Sequence, residues 1–442
     1  MIRNLLLGYF LISIISGSAQ DKLTFEEAVQ IGLKRNVTLN QQKNQLIVNQ
    51  AQKLNSYGNL MPNLNITSTY QHQSGQQPNT TNGDLEDLET DYFGAQLNAN
   101  LTVFNGLRVW KTVTQATNQL EAQSYLVKRS TQDVVSSVAN QYLQVLLDQE
   151  LLRIAEENFN AQKTLLEQIQ GFFDVGSRAI TEVYNQDALT KAAQVNVIRA
   201  RNTLENDKAI LAQTLQLDPS REFQLVLPEF EERITSFQNL PVDSLIEIAL
   251  ANRADVIQLK YQVEANKAAL DATFSGFAPS VSLFANYGSF YYSLIPEDFN
   301  SQFKTLNPSF SYGANLTIPI FGRFQTRSQR ASARMTYENS KLDRENREMT
   351  VRIDVQRAYN NILNAIEGYN SSLAQFEAGE LALRTQRESF ELGISDQVAL
   401  AQANQTYVQG AASKAQAEVT LLFQRILLEY ALGTLNVDDF RD

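Results

Sequence analysis

Few residues in this chain are equipped for covalent chemistry. It has no cysteine and one histidine, His72. Disulfides, thiolate metal sites and Cys- or His-based nucleophilic chemistry are therefore absent or nearly so. His72 falls at the end of an expected strand and reads as an ordinary polar or interfacial residue. Helical acids such as Asp148, Glu156 and Glu157 read as a solvated face. No nucleophile stands beside a base in a recognisable constellation. No catalytic residue, cofactor site or metal site is expected; side chains of these types can instead line, seal and join large structural elements.

The chain has 442 residues, 37 basic and 48 acidic, with a formal charge of −11. That balance argues against a nucleic-acid partner, which favours a basic face. Arg3, the apolar run from Leu5 to Ile15 and the small residues Ser16 to Ala19 have the order of a secretory signal peptide, assigned to residues 1–20. The apolar run is too short to span a bilayer as a helix. A lipoprotein anchor would need the missing cysteine. If the exported chain crosses a membrane, strands must do the crossing.

The sequence then repeats itself. Pro62-Asn63-Leu64-Asn65-Ile66 returns as Pro279-Ser280-Val281-Ser282-Leu283, and Phe173-Asp174-Val175-Gly176 as Phe390-Glu391-Leu392-Gly393, both shifted by 217 positions (62 to 279, 176 to 393). So long a period means two copies of one large unit, not a solenoid. The expected layout is a first repeat over 21–217, a linker or equatorial segment over 218–242, a second repeat over 243–435 and a tail over 436–442.

Each copy carries two alternating stretches, at about 63–73 and 92–103 and at about 280–290 and 309–319. Phe93, Ala95, Leu97, Ala99, Leu101 and Val103 alternate with Gly94, Gln96, Asn98, Asn100 and Thr102. The polar faces are small and uncharged, which suits a transmembrane barrel enclosing water rather than a soluble sheet. Tyr70, Tyr92, Phe93, Tyr287, Phe290, Tyr291 and Tyr292 gather at the strand ends as an aromatic belt would. Four strands cannot close a barrel in lipid, so the chain must oligomerise; three copies give twelve strands and an open lumen. The acidic stretch from Ser74 to Asp91 is expected as a solvated outer loop.

Long helical patterns follow each strand pair. From about 107 to 170 there is no proline and almost no glycine. Val138, Val145, Leu152, Phe159, Leu166 and Phe173 recur every seventh residue, and so do Val355, Ile362, Tyr369, Phe376, Leu383 and Phe390. That spacing is coiled-coil packing. Gly176 and Gly393 terminate these helices, and shorter helices return over about 181–215 and 396–432. Helices at about 24–57 and 243–275 precede the strands. The fold class is thus mixed α and β, with an internal duplication.

With this layout the chain resembles the outer membrane efflux proteins, the TolC-like channel-tunnels. The resemblance rests on the duplication, on Leu316-Thr317-Ile318-Pro319-Ile320-Phe321-Gly322, on the tip stretch from Phe173 to Val183 and on Ala431-Leu432-Gly433-Thr434-Leu435. It implies a homotrimer: a twelve-stranded barrel in the outer membrane, continuous with a coiled-coil tunnel in the periplasm. It further implies a periplasmic adaptor and an inner-membrane pump, of the resistance-nodulation or ABC type. The chain would be the passive exit duct of an efflux or type I secretion system. The alternative is an exported coiled-coil scaffold that never enters a bilayer.

The tips are the expected site. Val175, Gly176, Ser177, Leu392, Gly393 and Ile394 are candidates for adaptor docking. In the best-known relatives a pair of aspartates rings the closed entrance; those positions fall here on Ala399 and Gln402. Asp396, with Glu182 and Asp187 of the first copy, could supply carboxylates instead, or simply favour the helix dipole. Thr181, at the start of the first returning helix, completes the gate candidates. The first copy reads Leu101-Thr102-Val103-Phe104-Asn105-Gly106, without the second copy's proline, so the two strand exits are expected to bend differently.

Overall fold

In the computed structural model, residues 21–78, 83–218, 223–226 and 241–437 are described. The expected signal segment 1–20 and most of the linker and tail lie outside them. The 217-residue period is structural. Helices α1 (Phe25–Arg35) and α2 (Val37–Gly58) lead into strands β2 (Asn63–Pro78) and β3 (Leu85–Asn105), after a short β1 (Asp21–Leu23). Then come α3 (Arg108–Asp174) and α4 (Ile180–Leu215). A short β4 (Phe223–Leu225) leads to the second set: α5 (Val242–Asn252), α6 (Ala254–Ala272), β5 (Ser280–Tyr292), a single turn α7 (Phe299–Ser301), β6 (Ser309–Thr317), α8 (Gln325–Glu391) and α9 (Gln397–Leu432). Helices α3 and α8 both have 67 residues, and α4 and α9 both have 36. At 1.5 Å per residue the long pair reaches ~100 Å.

The strands form one antiparallel sheet in the order β2-β3-β5-β6. Phe93 pairs with Tyr70 and Tyr291, and Leu97 with Ile66 and Tyr287. Because side chains alternate, most apolar residues share one face and Asn65, Thr67, Asn98, Asn286 and Asn315 the other, with Phe284, paired with Asn100, an apolar exception on the polar face. The register corrects the belt: Tyr92, Phe290 and Tyr292 lie on the polar face, and only Tyr70, Phe93, Tyr287 and Tyr291 on the apolar one. It also corrects the outer loop. Pairing continues from His72–Asp91 out to Pro78–Leu85, so much of the acidic stretch is strand. Backbone ladders hold it there without any apolar alternation.

Each expected short helix is broken in two, at Asn36 and at its 217-residue equivalent Arg253, whose ψ is 123° in both cases. One extended residue reorients the chain. Asn36 then caps α2 by accepting the Leu39 N–H at 2.9 Å. Arg253 is buried instead, paired with Asp255 and Asp354 at 2.8 and 3.0 Å.

The exits from strand to long helix share a device. Gly106 and Leu107, and their equivalents Arg323 and Phe324, are all left-handed, with φ of 64°, 65°, 48° and 62°. Two such residues turn a tilted strand sharply into a helix, at a cost of about 1–2 kcal/mol per non-glycine residue. The exits differ only before that turn: β6 stops at Thr317, ahead of Pro319, whereas β3 runs on to Asn105.

The main core lies at mid-height of the helices. There Phe25, Leu39, Val138, Tyr142, Val145, Leu211 and Phe423 are buried together. The Tyr142 hydroxyl donates toward the carbonyls of Leu23 and Val226 at 2.8 and 2.7 Å, tying the parallel β1–β4 pair to α3. Asp148 belongs to this region and is 4% exposed, so it is not on a solvated face as expected. No helix among the described residues is long and apolar enough to cross a membrane.

Candidate functional site at the helix tips

Both long helices end in the same way. Gly176 and Gly393 have φ of 76° and 74°, a conformation glycine adopts without strain. At the first tip Ser177 N–H donates to the Phe172 carbonyl and Gly176 N–H to that of Phe173; at the second, Ile394 to Ser389 and Gly393 to Phe390. These paired bonds satisfy the last carbonyls of each helix. The exposed residues of the turn are then apolar: Val175, Leu392 and Ile394 are each at least 75% exposed. Ser177 is exposed too, and its hydroxyl donates back to Phe172 at 2.8 Å.

The two hairpins are joined just above these turns. Arg178 lies between them, bonded to Glu182 at 3.2 Å and to the Phe390 carbonyl at 3.3 Å, with its guanidinium over the Phe390 ring. Ile169, Val183, Phe390 and Leu400 form a small apolar cluster from all four helices. Above it runs a chain of buried amides. Gln397 donates to the Glu182 carbonyl and to Gln186 Oε1, and Gln186 donates to Gln162 Oε1 at 2.6 Å. The 217-residue equivalents of Gln162 and Gln186 are Gly379 and Ala403, so this lock exists once per chain.

The expected gate residues are not gathered into one acidic cluster. Glu182 is taken up by Arg178. Asp396 caps α9, accepting the Ala399 N–H at 2.8 Å. Asp187 is half-buried, Thr181 and Gln402 are exposed, and Ala399 is half-buried. Among the described residues no hydrogen bond or ion pair links Asp396 to Glu182 or Asp187, and no group of three or more acidic or His side chains could hold a metal. Sequence reasoning missed Arg178 and the three glutamines. Arg178 had a signal: it is the one basic residue in the quoted tip stretch. The glutamines had none, since the surrounding helix faces are rich in glutamine.

The sequence profile of the outer membrane efflux proteins matches residues 28–215 and 245–434, most of both repeats. The chain is 24% identical over 392 residues to the outer membrane protein TolC of Vibrio cholerae, covering 87% of this chain and 84% of that one. It is 25% identical over 392 residues to the pyoverdine export outer membrane protein OpmQ of Pseudomonas aeruginosa, covering 85% and 77%. The fold superimposes on the Campylobacter jejuni CmeC outer membrane channel with a TM-score of 0.81 at 15% identity, over 94% of this chain and 88% of that one. A duplicated strand-and-hairpin unit, with an apolar sheet face and a polar one, thus meets a sequence match spanning both copies, and the chain belongs to the outer membrane efflux protein family.

Proposed function

We propose that three copies of this chain form the passive exit duct of a tripartite efflux or type I secretion system. One observation carries the trimer. The sheet ends in β2 and β6, each with one edge unpaired among the described residues, and the two run in opposite directions. The β6 of one copy can therefore pair antiparallel with the β2 of the next. Lipid tolerates no open edge, and twelve strands leave an aqueous lumen where eight would be filled by side chains. The uncharged polar face then lines the water and the apolar face meets the lipid. Transport needs no chemistry from such a wall; the energy comes from the pump.

The helix tips are the docking and gating end in this reading. Exposed Val175, Leu392 and Ile394 offer apolar contacts, and the glycine turns let another helical hairpin approach closely. Thr181, Glu182, Asp187, Asp396, Ala399 and Gln402 line the entrance. Export of pyoverdine by the relative OpmQ supports the role; the cargo of this chain follows from its pump.

Light scattering of the detergent-extracted protein should give three protomers, and planar bilayers should show discrete channels. A monomer that leaves the membrane in carbonate would favour the scaffold instead. Docking has its own test. A Cβ at Gly176 or Gly393 meets no atom within 4 Å, so Gly176→Trp and Gly393→Trp strain only the turn. Both should still yield membrane trimers yet abolish efflux; unchanged drug tolerance removes the docking role.

A further inference from the structure

The segment between β5 and β6 does not project outward as a plain loop. The turn α7 and the π-helical turn after it, Gln302–Leu306, fold back onto the sheet. Phe299 and Phe303 stack at 5.3 Å, and both pack against Phe93 at 5.7 Å. Phe299 also meets Tyr291 at 5.5 Å, and the Ser289 hydroxyl donates to the Phe303 carbonyl at 2.6 Å. Phe93, Ser289 and Tyr291 share the apolar face with Leu97 and Tyr287, as the register requires. The turn therefore sits on the face that meets lipid, not over the mouth of the barrel.

Its height follows from strand geometry. From Val103 to Phe93 the strand advances ~33 Å, about 25 Å of height at the usual tilt of roughly 40°. That matches the ~25 Å apolar band of outer-membrane barrels, so Phe93 marks its outer boundary. The turn is also built for a medium poor in water. Gln302 is fully buried, and its amide nitrogen donates to the carbonyls of Tyr292, Ile295 and Glu297 while its oxygen accepts the Tyr292 N–H. Backbone groups that lipid would leave unpaired are thus satisfied from within. Of its exposed side chains Phe299 and Leu306 are apolar, while Asn300 and Thr305 are polar but uncharged. Lys304 is exposed and has no ion-pair partner among the described residues, on a stem long enough to reach a phosphate layer.

We infer that the turn from Phe299 to Leu306 is a membrane anchor: it seats in the outer-leaflet interface, Phe299 and Leu306 among the upper acyl chains and Lys304 at the lipid phosphates, and so fixes the depth of the barrel. The inference rests on the barrel proposed above and extends its lipid-facing wall by a segment that is not strand.

The chain's single tryptophan, Trp110, allows a clean probe. In a Trp110→Phe background, Phe299→Trp and Leu97→Trp are each reconstituted into phosphatidylcholine vesicles brominated either high on the acyl chains or near their ends. Leu97→Trp reports the wall itself and should lose emission to the deeper bromines. Phe299→Trp should lose emission chiefly to the shallow ones, with a blue-shifted maximum. Quenching at 97 with water-like, unquenched emission at 299 overturns the anchor and leaves the barrel standing. Quenching at neither position removes both.

Discussion

The guanidinium of Arg178 lies 4.6 Å from the centre of the Phe390 ring, so the tip of the first hairpin holds the last turn of the second. These residues are not equivalents in the duplication, since position 395, the counterpart of Arg178, is Ser395. The contact is thus an asymmetric clasp between the two hairpins of one chain. Cation–π pairs of this kind are worth about 0.5–2 kcal/mol. Arg178→Ala should loosen the tip, raising single-channel conductance in planar bilayers and admitting large antibiotics that the parent excludes. Arg178→Lys, keeping the charge but not the two-pronged contact with Glu182 and the Phe390 carbonyl, should fall between. Conductance unchanged in Arg178→Ala would show that the clasp does not restrain the entrance.

Helices α8 and α9 touch backbone to backbone where Gly410 faces Phe376 and Gly379 faces Tyr407. A Cβ at Gly410 would lie 3.3 Å from the Phe376 Cα, and one at Gly379 3.4 Å from that of Tyr407. Gly410→Leu should force the hairpin apart at a cost of about 1–3 kcal/mol, seen as a lower melting temperature of the detergent-solubilised protein. Gly368→Leu, on the partner helix α8 where an added Cβ meets no atom within 4 Å, is the matched control and should melt no lower than the parent.

Much of this architecture was legible because the 217-residue register repeats both periodicities. Period two located β5 and β6 to within a few residues, and the seven-residue column ending at Phe390 located α8. What escaped depends on which elements meet in space. The breaks at Asn36 and Arg253 carry no proline or glycine, and only the burial of Arg253 between Asp255 and Asp354 explains the second. The outer half of the β2–β3 hairpin is polar and held by backbone pairing rather than by apolar alternation, so it read as loop. At the tips, Gln162, Gln186 and Gln397 look like any wetted helix face until α3, α4 and α9 converge. Arg178 stood in the quoted motif, but its partner Phe390 lies 212 positions away.

Arg253 tests how the break in the second repeat is held. Its side chain is 2% exposed and bonds Asp255, Asp354 and the Ala431 carbonyl. Arg253→Leu would leave the buried Asp255 carboxylate with only the Val256 N–H at 3.0 Å and the more distant Arg347 guanidinium at 3.9 Å, and breaking a buried pair in this way typically costs up to about 3–5 kcal/mol. Adding Asp255→Leu should recover part of that loss, because two apolar groups replace an ion pair better than one orphaned charge does. Equal melting temperatures for the single and double variants would show that burial of the Asp255 charge is not what destabilises the single one.

Asp148 predicts a pH dependence with a definite sign. Burial pushes its carboxyl up to about 7, helped by the neighbouring carboxyl of Asp207; the hydrogen bond from Gln144 Nε2 to Oδ1, at 3.2 Å, opposes the rise. Oδ2 is buried with no donor unless a proton is shared with Asp207. In the unfolded chain the same acid titrates near 3.9. The folded state therefore holds the proton more tightly, and stability falls as pH rises from about 4 to about 7, then levels off. Asp148→Asn removes the penalty. It should leave the melting temperature unchanged near pH 4 and raise it above pH 7, by an amount on the order of a few kcal/mol in stability. The second repeat supports the sign, since the equivalent positions are the uncharged Ala365 and Gln424, both buried in the same fold. A gain of the same size at both pH values would mean that packing, rather than the proton, sets the stability at this position.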